Sequence, residues 1–215
     1  MAVKRKKITI VGCGPGSRDY LTPAAAAAVS AAEVLIGAPR LLDLFPDQQA
    51  ERIAMGKDRE SILQEISARL GKRRIAILVT GDPGLYSLAA SVVKRFGRET
   101  CEILPGISAL QTAFARMGAS WEDARIISAH AANPELDSSE LSKYPKIAIF
   151  GGDRDLVLRL SALFKDMREK GYRVFVAEDL TLPEERFYEI TGEGGRADRS
   201  LSTRAIIMIV RKEIL

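Results

Sequence analysis

Residues 12–16 read Gly-Cys-Gly-Pro-Gly, three glycines at alternate positions directly after the apolar run Ile8-Thr9-Ile10-Val11. Glycine admits backbone angles closed to other residues and lets a ligand come close to the main chain. Three further segments have the same character: Thr80-Gly81-Asp82-Pro83, Pro105-Gly106-Ile107-Ser108-Ala109 and Phe150-Gly151-Gly152-Asp153, each after a β-type run. The chemistry they offer is binding through main-chain N–H and C=O groups rather than acid–base work. Any one of them alone reads as a plain turn. In open α/β sheets, however, ligands lie outside the carboxyl ends of the strands, so four such ends point to one shared site.

A dinucleotide loop is the first candidate, and its spacing fails. That fingerprint requires G-x-G-x-x-G running straight into a helix, with an acid about 20 positions on. Here the third glycine comes one residue early and Ser17 holds the last position. Arg18, Asp19, Tyr20 and Leu21 then separate the loop from a helix that starts with Thr22 as N-cap and Pro23 as its first residue. Glu33 lies at a tempting distance but precedes the run Val34-Leu35-Ile36, whereas a ribose-binding acid follows its strand. His130 is the one histidine and Cys13 and Cys101 the two cysteines, so neither a metal-ligand cluster nor a nucleophilic triad is visible.

The elements that must position these loops alternate. Apolar β-type runs occur at Ile8–Val11, Val34–Gly37, Ile75–Thr80, Glu102–Leu104 and Ile126–Ser128. Helical patterns separate them at Pro23–Ser30, Arg40–Phe45, Arg59–Leu70, Leu85–Phe96 and Ile107–Met117, with Gly71 and Gly97 at two of the helix ends. Ala131–Lys146 has linker composition. The pattern then resumes: a strand at Ile147–Phe150, a helix over Asp153–Lys170, and strands at Arg173–Ala177, Arg186–Thr191 and Ala205–Val210. The spacing therefore predicts an α/β protein of two lobes, residues 1–130 and 131–215, with parallel pairing in the first.

The 215 residues are enough for a substantial core, and 47% hydrophobic with 28% charged residues is ordinary for a soluble globular chain. No apolar run reaches the roughly 18 residues a membrane helix needs, and the basic start leads into a strand rather than a signal core. Two cysteines in these places suit a reduced, cytoplasmic setting better than a disulfide framework. A net charge of +4 suits an anionic partner or simply solubility. With 6% aromatic residues and basic residues dispersed among acids, no nucleic-acid surface is marked.

Four stretches together resemble the tetrapyrrole methylases, the S-adenosylmethionine-dependent enzymes of cobalamin and sirohaem synthesis. They are GCGPGSRDYLTPAA, GDPGLYS, LPGISALQTAFARMG and EDLTLPEER, in the family's order along nearly the whole chain. WEDARIISAH and IGAPRLLDLF resemble most the branch that methylates carbon 5 of cobalt-precorrin-7. The resemblance implies two α/β lobes with S-adenosylmethionine in the cleft between them, released as S-adenosylhomocysteine, a fold distinct from the Rossmann methyltransferases. It implies cofactor contacts from Pro15, from Gly81, Asp82 and Leu85, from Ser108 and Ala109, and from Phe150, Gly151, Leu180 and Thr181 around the adenine.

The macrocycle is a polycarboxylate, so Arg18, Arg40 and Arg116 become candidate substrate partners, with Tyr20 at the cleft mouth. Asp19 is a candidate base, and His130 a candidate for substrate contact or proton transfer. The resemblance further implies a homodimer and a separate C(15)-methyltransferase/decarboxylase as pathway partner; a chain ending at Leu215 is expected to carry the carbon 5 methylation alone. Three residues depart from the branch: Ala131-Ala132 where relatives often have Gly-Arg, and Ser87 where they often have glycine. A methylase for another ring position is the nearest alternative, and a nicotinamide-dependent reductase or an RNA-binding module a more distant one.

Overall fold

In the computed structural model, which describes residues 8–56, 58–129, 136–151, 155–191 and 201–215, the chain divides into two units, Met1–Ser108 and Ala109–Leu215. The first holds a five-stranded sheet of β1 (Ile8–Gly12), β2 (Val34–Gly37), β3 (Glu51–Ala54), β4 (Ile75–Val79) and β5 (Cys101–Leu104). Its order is β3-β2-β4-β1-β5 and every pair is parallel. The helices between are α1 (Pro23–Ser30), α2 (Pro39–Leu42), α3 (Arg59–Arg69) and α4 (Ala89–Phe96).

Parallel sheets are covered on both faces, so their strands read as continuous apolar runs. Here Ile8, Ile10, Ile36, Ile75 and Ile77 meet α3 and α4 through Ile62, Ile66 and Val92. Val11, Cys13, Leu35, Ala76 and Leu78 meet α1 and α2 through Ala25, Val29, Leu41 and Leu42 on the other side. The chain leaves β1 toward β2 and leaves β4 toward β5, in opposite directions along the sheet. Right-handed crossovers then send the two following helices to opposite faces. The ends of β1 and β4 lie where the connections part, the place at which open α/β sheets bind ligands.

The second unit begins with α5 (Ala109–Met117), which lies against the last strand. Its sheet contains β6 (Ala124–Ser128), β7 (Lys146–Phe150), β8 (Tyr172–Glu178), β9 (Arg186–Glu189) and β10 (Ile206–Arg211), in the order β6-β7-β10-β8-β9. Only β6 and β7 pair in parallel; β10 runs antiparallel between β7 and β8, and β9 antiparallel to β8. Helices α6 (Ser138–Leu141), α7 (Leu156–Arg159) and α8 (Ser161–Glu169) accompany it. Leu141, Leu156, Phe164 and Met167 bury one face of the sheet with Ile147, Ile149, Val174, Val176, Ile207 and Ile209.

The structure departs from the sequence-based expectation in several places. The units divide at Ser108/Ala109 rather than near residue 130, because β6 pairs with β7 and so joins the second sheet. β3 is an added edge strand whose Glu-Arg-Ile-Ala sequence is mostly exposed and carries no apolar run. The linker-like segment contains α6, capped by the Asp137 carboxylate on Ser139 N–H at 3.0 Å. The helix expected over Asp153–Lys170 is two helices meeting at Leu160, where φ is −92° and ψ 6°. The helix expected from Leu85 starts at Ala89 because Tyr86 takes left-handed backbone, with φ of 49°, which no helix continues through; beside it the Ser87 hydroxyl donates to Pro83 C=O at 2.5 Å and accepts from Ala89 N–H at 3.1 Å.

Candidate active site

In the first unit β4, β1 and β5 are adjacent, so the loops after Val79, Gly12 and Leu104 emerge side by side. Their main chains touch. Cys13 N–H donates to Val79 C=O at 2.9 Å and Gly81 N–H to Gly14 C=O at 2.7 Å, a short antiparallel bridge. A Cβ on Gly12 would stand 2.5 Å from Gly106 N, and one on Gly106 would stand 2.7 Å from Gly12 C, with the Gly81 carbonyl against both. No side chain fits at either position, so glycine is required by close approach rather than by flexibility.

Asp82 ties the second loop to the third. Its Oδ1 accepts from Gly84 N–H at 2.7 Å and its Oδ2 from Gly106 N–H at 3.1 Å, which fixes the carboxylate's direction. Pro15 and Gly81 are buried, Asp82 and Leu85 are half-buried, and Ser108 is 5% exposed at the end of the third loop. The structure thus brings together Pro15, Gly81 and Asp82, with Leu85 in the same turn through its N–H to Asp82 C=O at 3.1 Å. Gly12 and Gly106 were not singled out as site residues. Their signal was a glycine directly at, or two residues beyond, the end of a strand run.

At the rim, Arg18–Tyr20 form a 3-10 turn in which Ser17 Oγ accepts from Asp19 N–H and donates to an Asp19 carboxylate oxygen, each at 3.2 Å. Arg18 and Asp19 are exposed and Tyr20 is half-buried, its carbonyl lying where a Gly14 side chain would be. Arg40 donates to the Thr80 hydroxyl, so this arginine sits over the β4 end. Cys13 faces inward and is fully buried; burial pushes its thiol up to about 12, against a lowering by the Val79 hydrogen bond and the Arg40 charge. That thiol is a packing group and no nucleophile at neutral pH.

Each candidate in the second unit is defined by its own contacts. Phe150 C=O accepts from Ala129 N–H at 2.8 Å, and Gly151 N–H donates to Ala205 C=O at 3.0 Å. Between β8 and β9, Asp179 and Thr181 both adopt left-handed backbone, with φ of 49° and 70°, around a buried Leu180. Thr181 N–H donates to Glu185 Oε2 at 2.6 Å, and Arg116 grips Glu185 with Nε–Oε1 at 2.6 Å and Nη2–Oε2 at 3.2 Å. The arginine holds the Glu185 carboxyl below the usual range, aided by the Thr181 N–H. Arg116, read from sequence as a substrate arginine, is thus engaged within its own unit. His130 lies outside the described residues, as do Gly152 and Asp153.

The first-unit loops suit a ligand without phosphates. The helices after β1 and β4 begin only at Pro23 and Ala89, so neither presents its N-terminus at the strand end as a pyrophosphate site does. A carboxylate, Asp82, stands in the middle loop, where it repels phosphate and attracts cationic or hydroxylated groups. Such a set fits a zwitterionic sulfonium nucleoside. Among the described residues no group of three His, Cys, Asp or Glu could hold a metal ion, and no helix is long and apolar enough to cross a membrane.

Known proteins are similar along nearly the whole chain. The chain is 33% identical over 205 residues to the cobalt-precorrin-7 C(5)-methyltransferase of Salmonella typhimurium, covering 93% of this chain and 98% of that one. The crystal structure of a cobalamin biosynthesis precorrin-6Y methylase from Archaeoglobus fulgidus superposes with a TM-score of 0.70 at 29% identity, covering 96% and 98% of the two chains. A uroporphyrin-III C-methyltransferase from Thermus thermophilus, solved with S-adenosylhomocysteine, shares the fold with a TM-score of 0.74 at 18% identity over 95% and 92%. The strand order of the first sheet also differs from the Rossmann order 3-2-1-4-5. With residues 7–194 matching the tetrapyrrole (corrin/porphyrin) methylase profile, the chain belongs to that family of methylases.

Proposed function

We propose that the protein transfers a methyl group from S-adenosylmethionine to carbon 5 of cobalt-precorrin-7 in cobalamin biosynthesis. The observation that carries this reading is the near end-to-end likeness to the Salmonella C(5)-methyltransferase. The interlocked loops of the first unit support it as a cradle for a phosphate-free cofactor.

Bound there, S-adenosylmethionine supplies an electrophilic methyl on a sulfonium that departs as a neutral thioether. The protein's task is then orientation and exclusion of water rather than acid–base chemistry. Asp82, aimed by two N–H groups, faces the cofactor's polar end, with Pro15, Gly81, Leu85, Ser108 and Ala109 as the remaining contacts in this part of the chain. Phe150, Gly151, Leu180 and Thr181 meet the adenine, a role supported by the resemblance. Arg18 and Arg40 pair with macrocycle carboxylates and Tyr20 lines their approach. Asp19, exposed beside Ser17, accepts the proton if the ring must lose one, and His130 remains a candidate contact. A homodimer, a separate C(15)-methyltransferase/decarboxylase partner and a cytoplasmic location are parts of the same proposal.

The test is the product. Incubation with cobalt-precorrin-7 and methyl-labelled S-adenosylmethionine should add one labelled methyl, located at carbon 5 by NMR. A methyl at another ring carbon would transfer the protein to a different branch of the family. Calorimetry should show micromolar S-adenosylhomocysteine binding and no NADPH binding; the reverse would return the reductase reading.

A further inference from the structure

The turn between β8 and β9 contains an arrangement that methyl transfer itself does not explain. Seven residues, Asp179 to Glu185, include two non-glycine residues with positive φ, one of them the β-branched Thr181. Left-handed backbone at a β-branched residue is a genuine outlier, and such outliers persist only where the surroundings over-determine them.

Each of the two is held by an ion pair of its own. Asp179 Oδ1 accepts from Arg204 Nε at 2.6 Å and from Ser202 Oγ at 2.8 Å. Thr181 is held through its N–H by Glu185, and Glu185 by the two-point grip of Arg116, 69 residues away in the chain. Leu180 lies between these anchors. Its main chain is thereby fixed from both sides before any ligand arrives, which lowers the ordering cost of binding.

We propose that Arg116 and Glu185 are positioning residues that fix the Leu180–Thr181 main chain for the cofactor's adenine, so that Arg116 acts through Glu185 rather than on the substrate. This rests on the reading that Leu180 and Thr181 contact the cofactor. The anchor is polar and bidentate, so it sets direction as well as proximity. Lysine cannot reproduce the two-point grip.

Calorimetry of the full chain with S-adenosylhomocysteine tests it, alongside steady-state kinetics in both substrates. Arg116→Ala and Glu185→Ala should each weaken S-adenosylhomocysteine binding about ten- to a hundredfold, the range of a lost charged hydrogen bond. The KM for S-adenosylmethionine should rise while kcat and the KM for the tetrapyrrole stay near wild type. The double variant should be no worse than Glu185→Ala alone, because the two act as one device. Arg69→Ala, which removes the Arg69–Glu51 pair of the first unit, serves as the control and should leave affinity unchanged.

If the alanine variants unfold, Arg116→Lys and Glu185→Gln replace them, with an intermediate loss of affinity expected. Unchanged S-adenosylhomocysteine affinity in folded variants overturns the proposal. So does a rise confined to the tetrapyrrole KM, which would return Arg116 to the substrate. Failure of the wild-type protein to bind S-adenosylhomocysteine would instead overturn the cofactor reading beneath it.

Discussion

Glycine at positions 12 and 106 shows how backbone contact, not side-chain chemistry, builds this site. The nearest neighbours of a Cβ on Gly106 would be main-chain atoms, the carbonyl oxygen of Gly81 and the C and O of Gly12 at 2.7 Å, none of which can rotate away. Gly106→Ala should therefore destabilise the protein by about 1–3 kcal/mol, as overpacking does, and should lower S-adenosylhomocysteine affinity because the three loops must separate. Urea unfolding and calorimetry on the same preparation check both parts; wild-type values would mean the loops are not interlocked. Legibility at this scale was uneven. Asp82 and the glycine runs stood out by type and spacing, whereas the significance of Arg116 came only from Glu185, because nothing local in a helix marks which distant carboxylate its arginine will meet.

Helix ends and strand runs were the most readable elements, since caps and apolar runs are local. Thr22 caps α1 by accepting from Ala25 N–H at 3.1 Å, as its position before Pro23 predicts. Asp58 caps α3 more fully, its two carboxylate oxygens taking Glu60 N–H at 3.0 Å and Ser61 N–H at 3.1 Å. Asp58→Ala should cost about 1 kcal/mol, the usual value of an N-cap, with cofactor affinity unchanged because the Asp58 carboxylate takes N–H groups of its own helix and none of the three loops. A shift of the urea midpoint without a change in S-adenosylhomocysteine affinity is the expected result. The elements that escaped prediction were short and polar. β3 shows no alternation because it lies at an edge, and Tyr86, with φ of 49°, delays α4 within a run that looks helical.

For the whole molecule, burial of neutral acids couples stability to alkaline pH. Burial raises Cys13 from 9.0 to about 12, and Tyr188 from 10.0 to about 12 with added repulsion from Glu178. A folded pKa above the unfolded one means stability is fully present below the unfolded value and is lost as pH rises through the folded value. The urea midpoint should therefore fall from about pH 9 for the Cys13 contribution and from about pH 10 for that of Tyr188. Cys13→Ala should remove the earlier part of that fall, and an unchanged slope would place the thiol in solvent. The sequence by itself determined most of the strands and helices, which loops expose backbone, and the resemblance that names the family, because period, capping and turn chemistry act between near neighbours. Tertiary structure alone decided that β1 lies between β4 and β5, and that β6 belongs with β7 so that the units divide at Ser108. It also decided that the second sheet is mostly antiparallel and that Arg116 closes on Glu185. Those are pairings between distant segments, chosen by which apolar faces and charged groups can be buried or matched together, and no local pattern records that choice.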